Sequence, residues 1–310
     1  MLNRRSFLKK SATGCGLMIA GGFPFESFAG ESVKRITILH TNDVHSRLEA
    51  FPMDGGKHEG QGGVAARAAL INKIRSEVEH VLLLDAGDIF QGTPYFNLYK
   101  GEAEMKALSM MSYDAVTMGN HDFDAGVEGF AAQLVHAKFP VLTANYDFTE
   151  TVLEGKTRPY TTIKKGDIKV GIFGLGIQLK GLVPEDAFGK TKYLEPIQIA
   201  NRTAERLKKK EKCEIVICLS HLGYEYNYNK VSDLILAKET EHIDLIIGGH
   251  THTFLDTPTV MKNRAGNEVV VNQVGWAGLR LGRLDFILDS KKSSKLSNAQ
   301  SVIIRKQTRG

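Results

Sequence analysis

"VKRITILHTNDVH", residues 33–45, sets the fold problem. Its first eight residues are rich in apolar and β-branched side chains, as a buried strand requires. The run then breaks into a polar cluster that holds Asp43 and His45. A buried strand that ends on a carboxylate and an imidazole is chemically suggestive once. It becomes diagnostic if the chain repeats it.

The chain does repeat it. "HVLLLDAGD" (80–88) is an apolar strand ending on Asp88, and "YDAVTMGNH" (113–121) ends on Asn120 and His121, with Asp122 and Asp124 just beyond. "EIVICLSH" (214–221) ends on His221, and "IDLIIGGH" (243–250) on His250, with His252 two residues further. "FPVLTAN" (139–145) adds a strand. Helical patterns occupy 62–78, 101–111, 126–137, 196–212 and 230–240. "YTTIKKGDIKVGIFGL" (160–175) reads as a hairpin, and "NEVVVNQVG" (267–275) with "RLGRLDFILD" (280–289) as two paired strands. Alternating strands and helices specify an α/β class. The hairpins among them predict two packed mixed sheets with helices outside. No repeat or Pro/Ser-rich linker divides residues 31–290, so they form one domain, and the polar tail 291–310 is expected to pack poorly.

With 310 residues and 42% hydrophobic content, a sizeable core needs no disulfide framework. Cys213 and Cys218 are expected as packing residues on opposite faces of one strand. The first 29 residues differ from the rest. "MLNRRSFLKK" is basic, "SATGCGLMIAGG" is weakly apolar, and small residues precede a cut after Ala29, which describes an export signal. Arg4-Arg5 followed by "SFLK" resembles a twin-arginine signal and places the protein in a bacterial periplasm. The apolar run is too short to span a bilayer, so no membrane span is expected in the mature chain. Cys15 in "ATGC" loosely resembles a lipidation site, but almost no apolar stretch precedes it. Residues 1–29 carry Arg4, Arg5, Lys9 and Lys10 against Glu26, which leaves +2 of the total +5 on the remainder. That is no nucleic-acid footprint.

In open α/β sheets, ligands bind beyond the carboxyl ends of strands. A lone Asp there is ordinarily a turn or helix cap, and a lone His an ordinary surface or core residue. Five strand ends that each deliver a metal-capable group are hard to collect by chance. His58, His80, His136 and His242 lack this placement; His40 is doubtful, because it lies on the first strand beside the site. Residues two apart in an extended segment face the same side, so Asp43 and His45 can reach one centre, and His250 and His252 neighbouring centres. Imidazole, carboxylate and amide oxygen suit Zn, Mn, Fe or Co rather than a thiolate-bound ion. Gly87, Gly119, Gly248 and Gly249 flank these donors and permit close backbone approach.

"ILHTNDVH", "DAGDIFQGTP", "MGNHDFD", "SHLG" and "GGHTH" together resemble the metallophosphoesterase (calcineurin-like) superfamily, and specifically the catalytic N-terminal domain of the 5'-nucleotidase family. The resemblance covers roughly residues 33–290. It implies a four-layer α/β/β/α sandwich and two divalent ions. Asp43, His45, Asp88 and His252 would hold the first ion; Asp88, Asn120, His221 and His250 the second, with Asp88 bridging. His121 would contact the phosphoryl group, oriented by Asp124. The implied reaction is hydrolysis of phosphate esters, foremost nucleotides, by a metal-bridging hydroxide. Two divalent ions, two carboxylates and a hydroxide leave the site at about +1, which attracts phosphate and acidifies water. No P-loop pattern is present, which disfavours kinase-like transfer. The family's nucleoside-binding C-terminal domain is not in this sequence. The expected alternatives are therefore a broad phosphomonoesterase or phosphodiesterase, including action on 2',3'-cyclic nucleotides, or a catalytic subunit served by a separate nucleoside-binding chain. A metal-binding scaffold without turnover is the remaining class.

Overall fold

Period-two alternation in apolar strands gives each sheet two faces to cover. A computed structural model describes residues 34–289 and 294–305; the expected export signal, residues 1–29, lies outside the described residues. In chain order the first half holds β1 (Lys34–Thr41), α1 (Val64–Glu77), β2 (Val81–Asp85), α2 (Pro94–Tyr99), α3 (Glu102–Met110), β3 (Ala115–Thr117), α4 (Gly126–Gln133), β4 (Val141–Leu142) and β5 (Tyr146–Asp147). The second half holds β6 (Tyr160–Lys165), β7 (Ile168–Leu175), α5 (Glu185–Phe188), β8 (Lys192–Tyr193), α6 (Pro196–Glu205), β9 (Ile215–Ser220), α7 (Asp233–Glu239), β10 (Leu245–Gly248), β11 (Thr259–Lys262), β12 (Glu268–Asn272), β13 (Arg280–Leu288) and β14 (Ser294–Ile303).

Twelve of the strands form two six-stranded mixed sheets, ordered β14-β13-β1-β2-β3-β4 and β11-β12-β10-β9-β7-β6, and β5 pairs with β8. β1 to β4 run parallel, as do β12, β10, β9 and β7; the outer strands β13, β14, β11 and β6 are antiparallel additions. Ile36, Ile38, Leu82 and Leu84 of the first sheet meet Val170, Ile172, Ile217, Leu219, Leu245 and Ile247 of the second in one buried layer. The intervening residues point outward. Leu39, Val81 and Leu83 pack under α1, α3 and α4 through Ile71, Met105 and Phe130. Val216, Cys218 and Ile246 pack under α6 and α7 through Ile199, Ala204 and Leu236. The result is the expected helix–sheet–sheet–helix sandwich. Among the described residues, no helix is long and apolar enough to cross a membrane.

Three local expectations are corrected. Residues 267–275 and 280–289 do not pair with each other. β12 lies between β10 and β11 in the second sheet, and β13 between β1 and β14 in the first. The chain between them crosses from sheet to sheet through Gly275, Ala277 and Gly278, all at positive φ. Next, the expected polar tail supplies the edge strand β14, which pairs with β13 along its length. One face of β14 is solvated, so its composition looks like a tail; Leu296 and Ala299 on the other face pack on the inter-sheet layer, and Ile304 is fully buried. Charged residues such as Lys295 suit an exposed edge. Finally, Cys213 and Cys218 are free and buried, but both belong to the outer layer of the second sheet. Strand β9 begins only at Ile215, so Cys213 sits in the turn before it and the two-face rule does not apply.

Candidate metal centre

Five strands stop at one edge of the sandwich: β1, β2 and β3 from the first sheet, and β9 and β10 from the second. Each hands a polar loop to the same place. Asp43 and His45 follow β1, Asp88 follows β2, Asn120 and His121 follow β3, His221 follows β9, and His250 and His252 follow β10. Asp43, His45, Asp88, His250 and His252 all adopt positive φ, between 46° and 72°. Such conformations cost about 1–3 kcal/mol each in a non-glycine residue, and they persist only where surrounding contacts enforce them.

Those contacts are largely backbone N–H groups. Asp43 N donates to Gly87 O at 2.9 Å, and His45 N to Asp88 O at 3.0 Å. His250 N donates to both Asp43 carboxylate oxygens, at 2.9 and 3.0 Å, and so ties the second sheet's loop to the first's. His121 N donates to Asp88 Oδ1 at 2.8 Å. Glycine is required where loops touch. A Cβ on Gly119 would collide with the Asp88 carboxylate and meet His221 Cε1 at 2.6 Å; one on Gly249 would meet His221 Nδ1 at 2.7 Å.

The donors gather into two groups, Asp43/His45/His252 and Asp88/His221/His250, with the ligand atoms of each within 4.8 Å of one another. Asn120 Oδ1 joins the second at 2.8 Å from His250 Nδ1. Asp88 Oδ2 lies 3.1 Å from His221 Nε2 and 3.8 Å from His45 Nε2, so it stands between the groups. All seven expected ligands therefore meet at one place.

Several atoms in this arrangement want a cation. His45 Nε2 and His252 Nε2 face each other at 3.0 Å. His221 Nδ1 lies 2.7 Å from Ala86 O, the geometry of an N–H donating to a carbonyl. In the neutral ring this leaves the lone pair on Nε2, which is buried without a hydrogen-bond partner and faces a carboxylate oxygen. Buried acceptors facing one another repel unless a proton or a metal sits between them. Without metal the proton does this for His221. Burial disfavours its charge, but Asp88 and then Asp43 outweigh burial and lift it to about 10. Asp88 itself, despite burial, is held well below the usual carboxylate range, chiefly by His221. Burial, reinforced by the His221 charge, lowers His250 to about 4. Burial also lowers His45 against the pull of Asp88 and Asp43. Neutral imidazoles and an ionised carboxylate are the ligating forms, so His221 has a proton to surrender. This donor set fits divalent ions of the imidazole–carboxylate type.

His121 stands beside the groups rather than in them. It opens a short 3₁₀ turn, His121–Phe123, and its ring is 5.2 Å from that of His45. Its Nδ1 is 2.8 Å from Asp124 Oδ2, and this hydrogen bond raises its pKa. The side chain stays 40% exposed, so the ring is reachable from solvent.

The supporting roles of some residues were not readable from the sequence. Asp122 is fully buried, and its carboxylate accepts from four backbone N–H groups: Asp88 and Gly119 on Oδ2, Ile89 and Phe90 on Oδ1. Gln273 donates to Gly249 O at 2.6 Å and accepts from Thr251 Oγ1 at 3.1 Å, which fixes the loop bearing His250 and His252. His40, the doubtful histidine, belongs to neither group. It is buried between the sheets with Nε2 2.8 Å from Asn272 Nδ2, and burial lowers it to about 3.

Known proteins share this fold. The calcineurin-like phosphoesterase family profile matches residues 36–254. Snake venom 5'-nucleotidase from Crotalus adamanteus is 35% identical over 293 residues, covering 87% of this chain and 48% of that protein. The structure of a 5'-nucleotidase precursor from Thermus thermophilus superposes with TM-score 0.79 at 33% identity, over 88% of this chain and 55% of that one. The NAD nucleotidase of Haemophilus influenzae gives TM-score 0.77 at 29% identity, over 88% and 51%. The chain thus spans about half the length of the curated relatives it matches.

Proposed function

The chain belongs to the calcineurin-like phosphoesterase family, and we propose that it is a hydrolase of phosphate esters, nucleotides foremost, that works with two divalent ions. The observation that carries the reading is the pair of donor groups with Asp88 between them. Asp43, His45, Asp88 and His252 would hold one ion, and Asp88, Asn120, His221 and His250 the other, drawn from Mn, Zn, Fe or Co. Bound there, the ions supply positive charge for phosphoryl oxygens and acidify water.

The protein's own groups do the rest. Asn120 and the four histidine ligands are neutral when ligating, so only Asp43 and Asp88 offset the metal charge. The site keeps a net positive field for a phosphate. Asp124 fixes the His121 ring through Nδ1 and favours its protonated form. His121 Nε2–H then serves as a donor to charge developing on the phosphoryl group or the leaving oxygen. Asp122 holds the loops of Asp88 and Asn120 together, which keeps the donors in place before substrate arrives.

Nucleotides are favoured because the venom and Thermus proteins are both described as 5'-nucleotidases. The test is a panel of 5'-AMP, 2',3'-cyclic AMP, UDP-glucose and an aryl phosphodiester, each run with each metal. Faster turnover of a nucleotide than of the aryl ester supports the reading; a general preference for the aryl ester overturns the substrate part of it. Export rests on residues 1–29. Replacing Arg4 and Arg5 by Lys should retain the protein in the cytoplasm, and unchanged periplasmic activity would remove that expectation.

A further inference from the structure

The crossover between the sheets, residues 273–279, contains no candidate ligand, yet it reaches the first donor group repeatedly. Ala277 N donates to Asp43 O at 2.7 Å. Asn42 links the two segments. Its Nδ2 donates to Asp43 Oδ2 and to Gly275 O, both at 2.6 Å, and its Oδ1 accepts from Val274 N at 3.0 Å. Between these anchors Trp276 lies flat on His252, with ring centroids 5.8 Å apart and planes 9° apart. Gly275 and Ala277, at φ 81° and 55°, turn the backbone on either side of it.

His252 needs such a neighbour. A metal-binding histidine ordinarily has its second ring nitrogen fixed by a carboxylate or carbonyl. His221 has this in Ala86 O. Among the described residues, nothing hydrogen-bonds to Nδ1 of His252, and its side chain is 39% exposed. Its Nε2 faces inward, 3.0 Å from His45 Nε2 and 3.4 Å from Asp43 Oδ1. Rotation of the ring about its bond to Cβ would take Nε2 away from both. A parallel indole face opposes that rotation, because contact is kept only while the planes stay aligned. The indole is itself braced. Phe51 meets it edge-on at 6.1 Å and 83°, and the Arg47 guanidinium lies 4.1 Å from the Phe51 ring centroid.

We propose that Trp276 is a positioning residue for the first metal position: its indole holds the His252 ring in the plane that presents Nε2, so occupancy of that position, and not of the second, depends on it. This rests on the two-ion reading above.

The test titrates the full metal-free chain with Mn²⁺, followed by calorimetry and electron paramagnetic resonance. The unsubstituted chain takes up two ions; fewer than two overturns the two-ion reading itself, whatever Trp276 does. Trp276→Ala weakens one of the two binding events about 10–100-fold, the range for groups that orient a ligand, and leaves the other unchanged. Trp276→Phe keeps a flat face and recovers most of the loss. His252→Ala weakens the same event, and adding Trp276→Ala to it causes no further loss, as for residues acting through one another. If Trp276→Ala does not fold, Trp276→Leu, which has bulk but no flat face, takes its place with the same expected loss. The proposal is overturned if the two-ion chain binds equally well without the indole, if both events weaken alike, or if the Trp276 and His252 losses add in full.

Discussion

Replacing Asp122 by asparagine keeps the side chain's shape and removes the charge that joins two ligand loops. Each carboxylate oxygen accepts two buried N–H groups, from Asp88 and Gly119 on one and Ile89 and Phe90 on the other. An amide can turn its oxygen to only one of these pairs; its NH₂ must then face the remaining two donors. Two buried N–H groups left without acceptors cost about 1–3 kcal/mol each, or about 2–6 kcal/mol together. That is a large part of the roughly 5–15 kcal/mol that holds a typical domain folded. Burial, then the neighbouring Asp88 charge, push the Asp122 carboxyl up to about 7 against the pull of the N–H donors. The comparison therefore belongs at pH 8, where the carboxylate form dominates. Urea unfolding of the metal-free protein, followed by circular dichroism, should show the loss. Mn²⁺ affinity should fall with it, because Asp88 owes its positive φ to this clamp. A change below about 1 kcal/mol with unchanged Mn²⁺ affinity would rule out this role for Asp122.

His121→Asn should lower kcat by about 10²–10³, the usual loss of one aimed donor, with both ions retained on metal analysis. Loss of metal alongside activity would mean His121 is structural. Asp124→Asn removes the charge from the hydrogen-bond acceptor that raises the His121 pKa. Activity that needs protonated His121 is lost above its pKa, so the alkaline limb of the kcat profile should move to lower pH; an unmoved limb contradicts the pairing. The second metal position must displace the His221 proton, whose pKa near 10 in the metal-free chain means it is bound at neutral pH. Mn²⁺ affinity there should rise with pH, by up to about tenfold per unit below 10. Calorimetry in two buffers of different ionisation heat should find about one proton released, and a pH-independent affinity would contradict the assignment.

How much was legible follows from where each signal resides. "VLLLD" and "IVICLS" declare buried strands because every position is covered by a layer on one side or the other. Asp43, Asp88, His221 and His250 declare themselves because a polar group at the end of such a run has no packing role there. β14 was hidden because an edge strand solvated on one face has the composition of a tail, and β11 because its residues are half-exposed throughout. The sheet exchange at residues 275–278 leaves no mark in periodicity, since β12 and β13 each obey their own. Asp122, Asn42 and Gln273 were illegible for another reason. Most of their partners are backbone groups, many in distant loops, and a backbone group looks the same in every sequence. Trp276 likewise reads as an ordinary aromatic until the crossover lays it on His252.

The proposed chemistry requires that His250 and His252 serve different ions with Asp88 between them. Anomalous diffraction from crystals grown with Mn²⁺ decides this in a single map. Two peaks are expected, one beside His45 and His252 and one beside His221 and His250, with Asp88 in contact with both. A single peak ligated by His250 and His252 together would contradict the two-ion reading.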